Sequence, residues 1–198
     1  MKYALVWGTK GYKGDNIAGD NNARLMSHVL ARTYKFPKEN LKVLINNRLT
    51  MENMLSDLVW LRQKSDENSV IVLFYSGHGG MTSAGKWSYA RLNEQFQDIR
   101  YERLGLIFEC CFSGNACELL SAPNRVIIGS TRPGATGGGT SHNSLFSHFF
   151  IKEAMQKGLA DVNGDGQVSV QEAFNYYHNK DPYVNGTMID DYGQEFLL

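Results

Sequence analysis

Short apolar runs alternate with amphipathic segments along the chain, and this alternation limits the folds that it can adopt. Five runs have the length of a strand, and segments with apolar residues at helical intervals follow three of them. The strand runs are 3–7, 41–45, 70–75, 104–108 and 125–129, and the helical segments are 21–34, 50–63 and 144–157. Strands that alternate with helices form parallel sheets, because the crossover connections are right-handed and place helices on both faces. The sequence therefore predicts an α/β fold, a three-layer sandwich with a mostly parallel sheet flanked by helices.

Length and charge exclude several classes of function. A chain of 198 residues suits one domain, so we predict a single domain over residues 1–198. Twenty Lys and Arg residues balance 20 Asp and Glu residues, which leaves no basic excess for nucleic acid or an anionic membrane. No apolar run approaches the roughly 20 residues that span a bilayer, and the N-terminal run is too short for a secretory signal. We expect a cytoplasmic protein that binds neither nucleic acid nor membrane.

Two predicted strands end at a reactive side chain in a glycine-containing turn. Run 70–75 leads into Ser76-Gly77-His78-Gly79, and run 104–108 leads into Glu109-Cys110-Cys111-Phe112-Ser113-Gly114. The carboxyl ends of parallel strands form the ligand-binding edge of α/β sheets. If the two strands are neighbours, His78 can deprotonate the Cys111 thiol at neutral pH. The alternative is a turn histidine beside two core cysteines, since free cysteines are often buried.

These two segments resemble the catalytic histidine and cysteine motifs of caspase-like cysteine peptidases, the clan of caspases, metacaspases and legumains. Segment 17–26 also resembles the start of the first helix in metacaspase-type proteins, and the order of elements agrees over residues 3–177. The chain looks most like compact prokaryotic legumain- and metacaspase-type proteins. The resemblance implies a caspase-like fold and a cysteine endopeptidase that acts on peptides or proteins. The chain is expected to be a monomer or a homodimer paired through an edge strand.

The resemblance also implies roles for single residues. Cys111 would attack the peptide carbonyl and form an acyl-enzyme, while His78 would transfer protons. The backbone N–H groups of Gly79 and Cys111 would form the oxyanion hole. The motif selects Cys111 over Cys110, and strand alternation agrees, because Glu109 and Cys111 share a face while Cys110 points into the packing.

Two charged residues are candidates for the substrate pocket. An acid at the position of Glu109 lines this pocket in legumains and metacaspases, and Arg132 lies in the loop after run 125–129, which usually lines it in this clan. Together they favour asparagine or a basic residue before the scissile bond over an acidic one. The alternatives are that Glu109 is a strand-end acid bound by neighbouring N–H groups and that Arg132 points outward.

Residues 161–172 match a 12-residue EF-hand loop, with oxygen-bearing side chains at alternate positions, glycine at the sixth and glutamate at the twelfth. The hard Ca²⁺ ion prefers such a ring of oxygens. The alternative is a polar turn that joins two helices. A single loop without a partner hand predicts a structural or activating calcium site rather than a sensor. The expected ligands are Asp161, Asn163, Asp165, Gln167, Ser169 and Glu172.

Three other functions remain open from the sequence. A catalytically silent calcium-binding interaction module could use the same fold, and a peptide ligase could use the same pair of residues. A zinc protein would need its ligands from the three cysteines and His78. Cys117 is expected in the core of a helix that follows the nucleophile.

Overall fold

The computed structural model describes residues 1–11, 17–81, 83–137, 144–181 and 186–198. Its strands are β1 Lys2–Gly8, β2 Leu41–Ile45, β3 Val70–Ser76, β4 Gly79–Gly80, β5 Ser83–Ala84, β6 Trp87–Ser88, β7 Arg103–Glu109, β8 Arg125–Gly129 and β9 Thr187–Asp190. Its helices are α1 Gly19–Arg32, α2 Met51–Lys64, α3 Tyr89–Phe96, α4 Gly114–Leu120, a π-helix at Ser147–Gln156 and α5 Val170–Lys180. Two short 3₁₀ helices, Lys38–Asn40 and Asn46–Arg48, flank β2.

Six strands form the central sheet in the order β2-β1-β3-β7-β8-β9. The first five are parallel to one another, and β9 adds to the edge antiparallel to β8. All five of the runs predicted as strands lie in this sheet, and β2 and β8 have the predicted bounds. The inner strands are continuous apolar runs, as expected for strands covered on both faces. The predicted α/β sandwich with a mostly parallel sheet is confirmed.

Alternating side chains of the sheet supply two hydrophobic cores, one on each face. On β3, Val72 and Phe74 belong to the core under α1, the π-helix and α5. Leu73 and Tyr75 belong to the opposite core, under α2, α3 and α4. Successive strand residues point to opposite faces, so one apolar strand contributes to both cores. Because β3 is buried on both faces, its register with β7 is fixed. This register sets the position of the residues that follow each strand.

Capping residues define where two of the helices start. The Thr50 hydroxyl accepts a hydrogen bond from the Asn53 N–H at 3.2 Å, so it is the N-cap of α2. Ser169 and Glu172 form a capping box at the start of α5. Within the ranges given above, no helix is long and apolar enough to span a membrane.

Candidate active site

The carboxyl ends of β3 and β7 lie side by side at one edge of the central sheet. The two strands are parallel neighbours, and Ser76 pairs with Glu109 as their last pair. Gly77 extends the pairing by donating its N–H to the Glu109 carbonyl at 3.1 Å. His78 and Cys111 each lie two residues beyond the last pair, on chains that run about 4.8 Å apart within the sheet. The structure therefore brings the predicted base and nucleophile to the same edge, where both are half-buried.

The main chain of His78 is held from two sides. Its carbonyl accepts one hydrogen bond from the Tyr75 hydroxyl at 2.7 Å and another from the Gly85 N–H at 2.8 Å. Tyr75 is a buried residue of β3, and Gly85 has a φ of +59° at the turn between β5 and β6. The small sheet of β4, β5 and β6 thus fastens the histidine turn to β3. These two hydrogen bonds fix the backbone position of residue 78 at the edge of the sheet.

A sharp turn follows Cys111 directly. Phe112 has a φ of 59°, in the left-handed region that bulky residues rarely adopt. Its N–H donates to the Ala135 carbonyl at 2.7 Å, and its carbonyl accepts from the Asn115 N–H at 3.1 Å. A left-handed L-residue costs about 1–2 kcal/mol, so contacts elsewhere must stabilise this turn. The chain changes direction at this turn, just after Cys111, and α4 begins at Gly114.

The two turns touch through Gly79. A Cβ at this position would lie 2.2 Å from the Cys111 carbonyl oxygen and 2.6 Å from the Cys110 Sγ. Real Cβ atoms essentially never show contacts under 3.0 Å, so only glycine allows this approach. The backbones of Gly79 and Cys111, which the resemblance assigns to the oxyanion hole, are therefore in direct contact.

The other two cysteines lie in the core. Burial raises the pKa of both the Cys110 and Cys117 thiols to about 12. Cys110 packs in the layer of α3, with its Sγ 3.8 Å from the Tyr89 hydroxyl, and Cys117 is fully buried in α4. Among the residues that the structure describes, no three His, Cys, Asp or Glu side chains are grouped so that they could hold a metal ion. The three cysteines and His78, all described, are therefore not gathered as zinc ligands in this structure.

Glu109 is an internal carboxylate in the structure. Its side chain is only 6% exposed, and it accepts hydrogen bonds from the Ser147 N–H at 3.1 Å, the Ser147 hydroxyl at 2.8 Å and the Ser144 hydroxyl. Burial raises the pKa of Glu109 to about 7, although hydrogen bonds from Ser147, Ser76 and Asn22 act in the opposite direction. This arrangement corresponds to the strand-end acid that the sequence left as the alternative to a wall of the substrate pocket.

Arg132 lies where the sequence placed it, in the loop after β8, and its side chain is exposed. Glu109, in contrast, is buried. The loop itself is close to the cysteine turn, since a Cβ at Gly114 would lie 2.5 Å from the Arg132 carbonyl carbon. The pairing of Glu109 and Arg132 in one substrate pocket stays a prediction.

Sequence reasoning missed a set of hydroxyl groups that joins the β8 loop to the cysteine turn. The Ser113 hydroxyl accepts a hydrogen bond from the Thr131 N–H at 3.1 Å and lies 3.1 Å from the Thr131 hydroxyl. It also lies 3.4 Å from the Ser130 hydroxyl, and all three residues are buried. Ser and Thr next to glycine are too common in loops for the sequence to predict these hydrogen bonds. The bonds connect a third strand end, that of β8, to the candidate site.

The predicted calcium loop is built around hydrogen bonds to its own backbone. Asp161 accepts from the Gly164 and Gly166 N–H groups at 2.8 and 3.0 Å, and Asn163 and Asp165 each accept from the N–H two residues later. Both glycines have positive φ, 75° and 83°. These contacts fold the loop into a series of tight turns.

Glu172, the last residue of the loop motif, reaches back to the start of the loop. Its carboxylate accepts from the Val162 N–H at 3.1 Å and the Asn163 N–H at 3.4 Å. Partial burial would raise the pKa of Glu172, but hydrogen bonds from Ser169, Val162 and Asn163 outweigh burial and hold it below its ordinary value. The oxygen donors fit the chemistry that Ca²⁺ requires, although the three carboxylates of the loop are not gathered into one cluster.

Comparisons with known proteins agree with this geometry. A protein of Geobacter sulfurreducens has the same fold, with a TM-score of 0.74 at 12% identity over 95% of this chain and 92% of that one. Caspase-1 from Spodoptera frugiperda matches with a TM-score of 0.63 at 12% identity, over 98% of this chain and 88% of that one. No curated protein matches the sequence. The sequence model of the caspase domain matches residues 1–184, nearly the whole sheet with both strand-end turns, and the chain therefore belongs to the caspase-domain family of cysteine peptidases.

Proposed function

We propose that this protein is a cysteine endopeptidase with Cys111 as nucleophile and His78 as general base and acid. The observation that carries the proposal is the β3–β7 register, which places both residues two positions beyond the same pair of neighbouring strand residues. The direct contact between Gly79 and the Cys111 backbone supports it further. The two other cysteines are buried in the core, which leaves Cys111 as the half-buried thiol at the sheet edge.

The chemistry follows from these positions. His78 accepts the thiol proton, and the Cys111 thiolate attacks the peptide carbonyl carbon to form a tetrahedral intermediate. The C–N bond breaks as the imidazolium protonates the leaving amine, and this leaves an acyl-enzyme. His78 then takes a proton from a water molecule as the water oxygen attacks the acyl carbon. The C–S bond breaks, the carboxylic acid leaves, and the imidazolium returns the proton to the Cys111 sulfur. Backbone N–H groups of Gly79 and Cys111 would stabilise the oxyanion in both steps.

The experiment is a mass-spectrometric digest of a diverse peptide library by the wild type, Cys111→Ala and Cys110→Ala. Cys110→Ala is the matched control, because it removes a neighbouring thiol that the mechanism does not use. We expect cleavage by the wild type and the control and none by Cys111→Ala. Cleavage that persists in Cys111→Ala would refute the proposal. Joined rather than cut peptides would indicate a ligase that uses the same acyl-enzyme.

The same digest identifies the residue before the cut. The expected preference for asparagine or a basic residue relied on Glu109, and the carboxylate of Glu109 is used inside the protein. Cuts after acidic residues would assign the exposed Arg132 to the pocket. Cuts after basic residues or asparagine would require a different pocket wall from the one that the sequence suggested.

We also propose that residues 161–172 bind Ca²⁺ and that the ion stabilises the segment between the π-helix and α5. The proposal is supported by the oxygen donors along the loop and by Glu172, which reaches back to its first residues. Calorimetric titration with Ca²⁺ should show one site, and the unfolding temperature should rise with Ca²⁺. Asp161→Asn should weaken both effects, while Asp98→Asn, at an exposed acid outside the loop, should not. Equal binding by Asp161→Asn would contradict the proposal.

A further inference from the structure

Glu109 occupies the meeting point of four elements at the active edge of the sheet. It is the last residue of β7 and pairs with Ser76 at the end of β3. Its carboxylate receives hydrogen bonds from Ser147 at the start of the π-helix and from Ser144 just before that helix. Asn22 of α1 donates to the Ser76 hydroxyl at 3.2 Å, which ties α1 to the end of β3 beside Glu109. The Glu109 carboxylate itself joins the end of β7 to the start of the π-helix, two residues before Cys111.

The carboxylate is already engaged inside the protein. An ionised carboxylate offers about four lone-pair positions, and three donors from two residues already contact this one. The three donors are the Ser144 hydroxyl, the Ser147 N–H and the Ser147 hydroxyl. All three are uncharged, so within the described residues hydrogen bonds hold the group. A substrate lysine or arginine would have to reach the carboxylate of a residue that is only 6% exposed.

We propose that Glu109 is a positioning residue, whose carboxylate fastens the start of the π-helix to the end of β7 and thereby holds the turn that carries Cys111. This role rests on the proposed peptidase function. Cys111 follows Glu109 by two residues, so displacement of the end of β7 displaces the thiol. Positioning errors of about 1 Å at reacting atoms can reduce turnover about a hundredfold. In this arrangement Glu109 affects the rate and does not select the substrate side chain.

The test compares Glu109→Ala, Glu109→Gln and Ser147→Ala with the wild type, and Glu118→Gln serves as the matched acid-to-amide control at an exposed site. Glutamine keeps one acceptor oxygen and the shape of the side chain, so Glu109→Gln should retain most of the turnover. Glu109→Ala should reduce kcat about tenfold or more with little change in KM, and Ser147→Ala should lie between the two. The preference for the residue before the cut should be the same in all variants.

Hydrogen exchange provides a measurement that does not depend on activity. The backbone N–H groups of residues 147–150 should exchange about tenfold faster in Glu109→Ala than in the wild type, and Glu118→Gln should leave them unchanged. Ser147→Ala, which keeps the backbone donor, serves where Glu109→Ala fails to fold. If no protein cleaves any peptide, the exchange rates still decide whether Glu109 fastens this helix.

Two results would overturn the inference. Unchanged exchange at residues 147–150 in the folded variants would show that Glu109 does not hold the π-helix. A selective loss of cleavage after basic residues in Glu109→Gln, about tenfold or more relative to other sites, would show that the carboxylate contacts the substrate.

Discussion

Replacing Glu109 by glutamine should alter how the stability of the protein depends on pH. The folded protein raises the pKa of Glu109 to about 7 from its ordinary value of 4.5, because burial disfavours the charged form. The folded state therefore binds this proton more tightly than the unfolded chain does. The resulting stabilisation is fully present below about pH 4.5 and is lost as the pH rises through about 7.

The size of the effect follows from the shift. A difference of roughly 2.5 pKa units at about 1.4 kcal/mol per unit corresponds to about 3 kcal/mol. Glutamine has no proton to lose, so Glu109→Gln should gain about 3 kcal/mol relative to the wild type between pH 4.5 and pH 8.5. Every other titrating group is common to both proteins and cancels in this comparison. The titratable neighbours Cys110 and Tyr177 do not interfere, because burial raises the pKa of each above this range.

Urea unfolding of both proteins at several pH values measures this double difference. The difference between their free energies of unfolding should change steadily from about pH 4.5 to about pH 7 and level off above that, and Glu118→Gln should show no such change. A pH-independent difference between wild type and Glu109→Gln would refute the assignment of Glu109 as a buried carboxyl with a raised pKa. A change of the opposite sign would show that hydrogen bonds outweigh burial and favour the charged form.

Three further predictions concern other contacts. Gly79→Ala should destabilise the protein by about 1–3 kcal/mol in urea unfolding and abolish most cleavage, because its Cβ would overlap the cysteine turn. In the same assay Gly80→Ala, whose Cβ would have its nearest contact at 3.2 Å, should change stability by less than about 0.5 kcal/mol. Iodoacetamide at pH 7.5 should add one label per folded chain, at Cys111, because the other two thiols are buried with pKa values of about 12; intact-mass measurement showing two labels would contradict this. Arg125→Ala should lower the free energy of unfolding in urea by about 3 kcal/mol, because this buried guanidinium donates to three acceptors. Arg91→Ala, at an exposed position, should lower it little, and equal losses of stability in the two variants would contradict the prediction.

Five strands of the central sheet could be predicted because each is recognisable from its own apolar residues. Runs such as 70–75 and 104–108 are apolar throughout, and a strand covered on both faces needs this pattern and little else. The sequence-level site prediction had the same basis, since two reactive residues at the same offset from two strand ends must meet if the strands are neighbours. That condition depends on strand order, which the resemblance to caspase-like peptidases suggested and the structure shows.

The elements that were missed depend on distant partners. Strand β9 is four residues long and half-exposed, and it is a strand only because β8 offers it an open edge. Helix α3 is short, and its N-cap, Ser88, is the last residue of β6 in a small sheet that has no apolar periodicity. The surroundings of Glu109 were equally hidden, because its donors Ser144 and Ser147 lie 35 and 38 residues away along the chain. The sequence alone cannot distinguish a strand-end acid that faces a substrate from one that faces a helix.

The candidate site is held mainly by backbone contacts, and this explains how the fold persists while the sequence changes. The Gly77 N–H donates to the Glu109 carbonyl, and the Phe112 N–H donates to the Ala135 carbonyl. The close contact at Gly79 depends on the absence of a side chain. None of these contacts requires a particular side chain other than glycine, so most surrounding positions are free to vary. Structures with TM-scores of 0.74 and 0.63 at 12% identity are the expected consequence. Side chains that do make specific contacts here, such as the Glu109 carboxylate, are therefore the positions where a substitution should disturb the turn that carries Cys111.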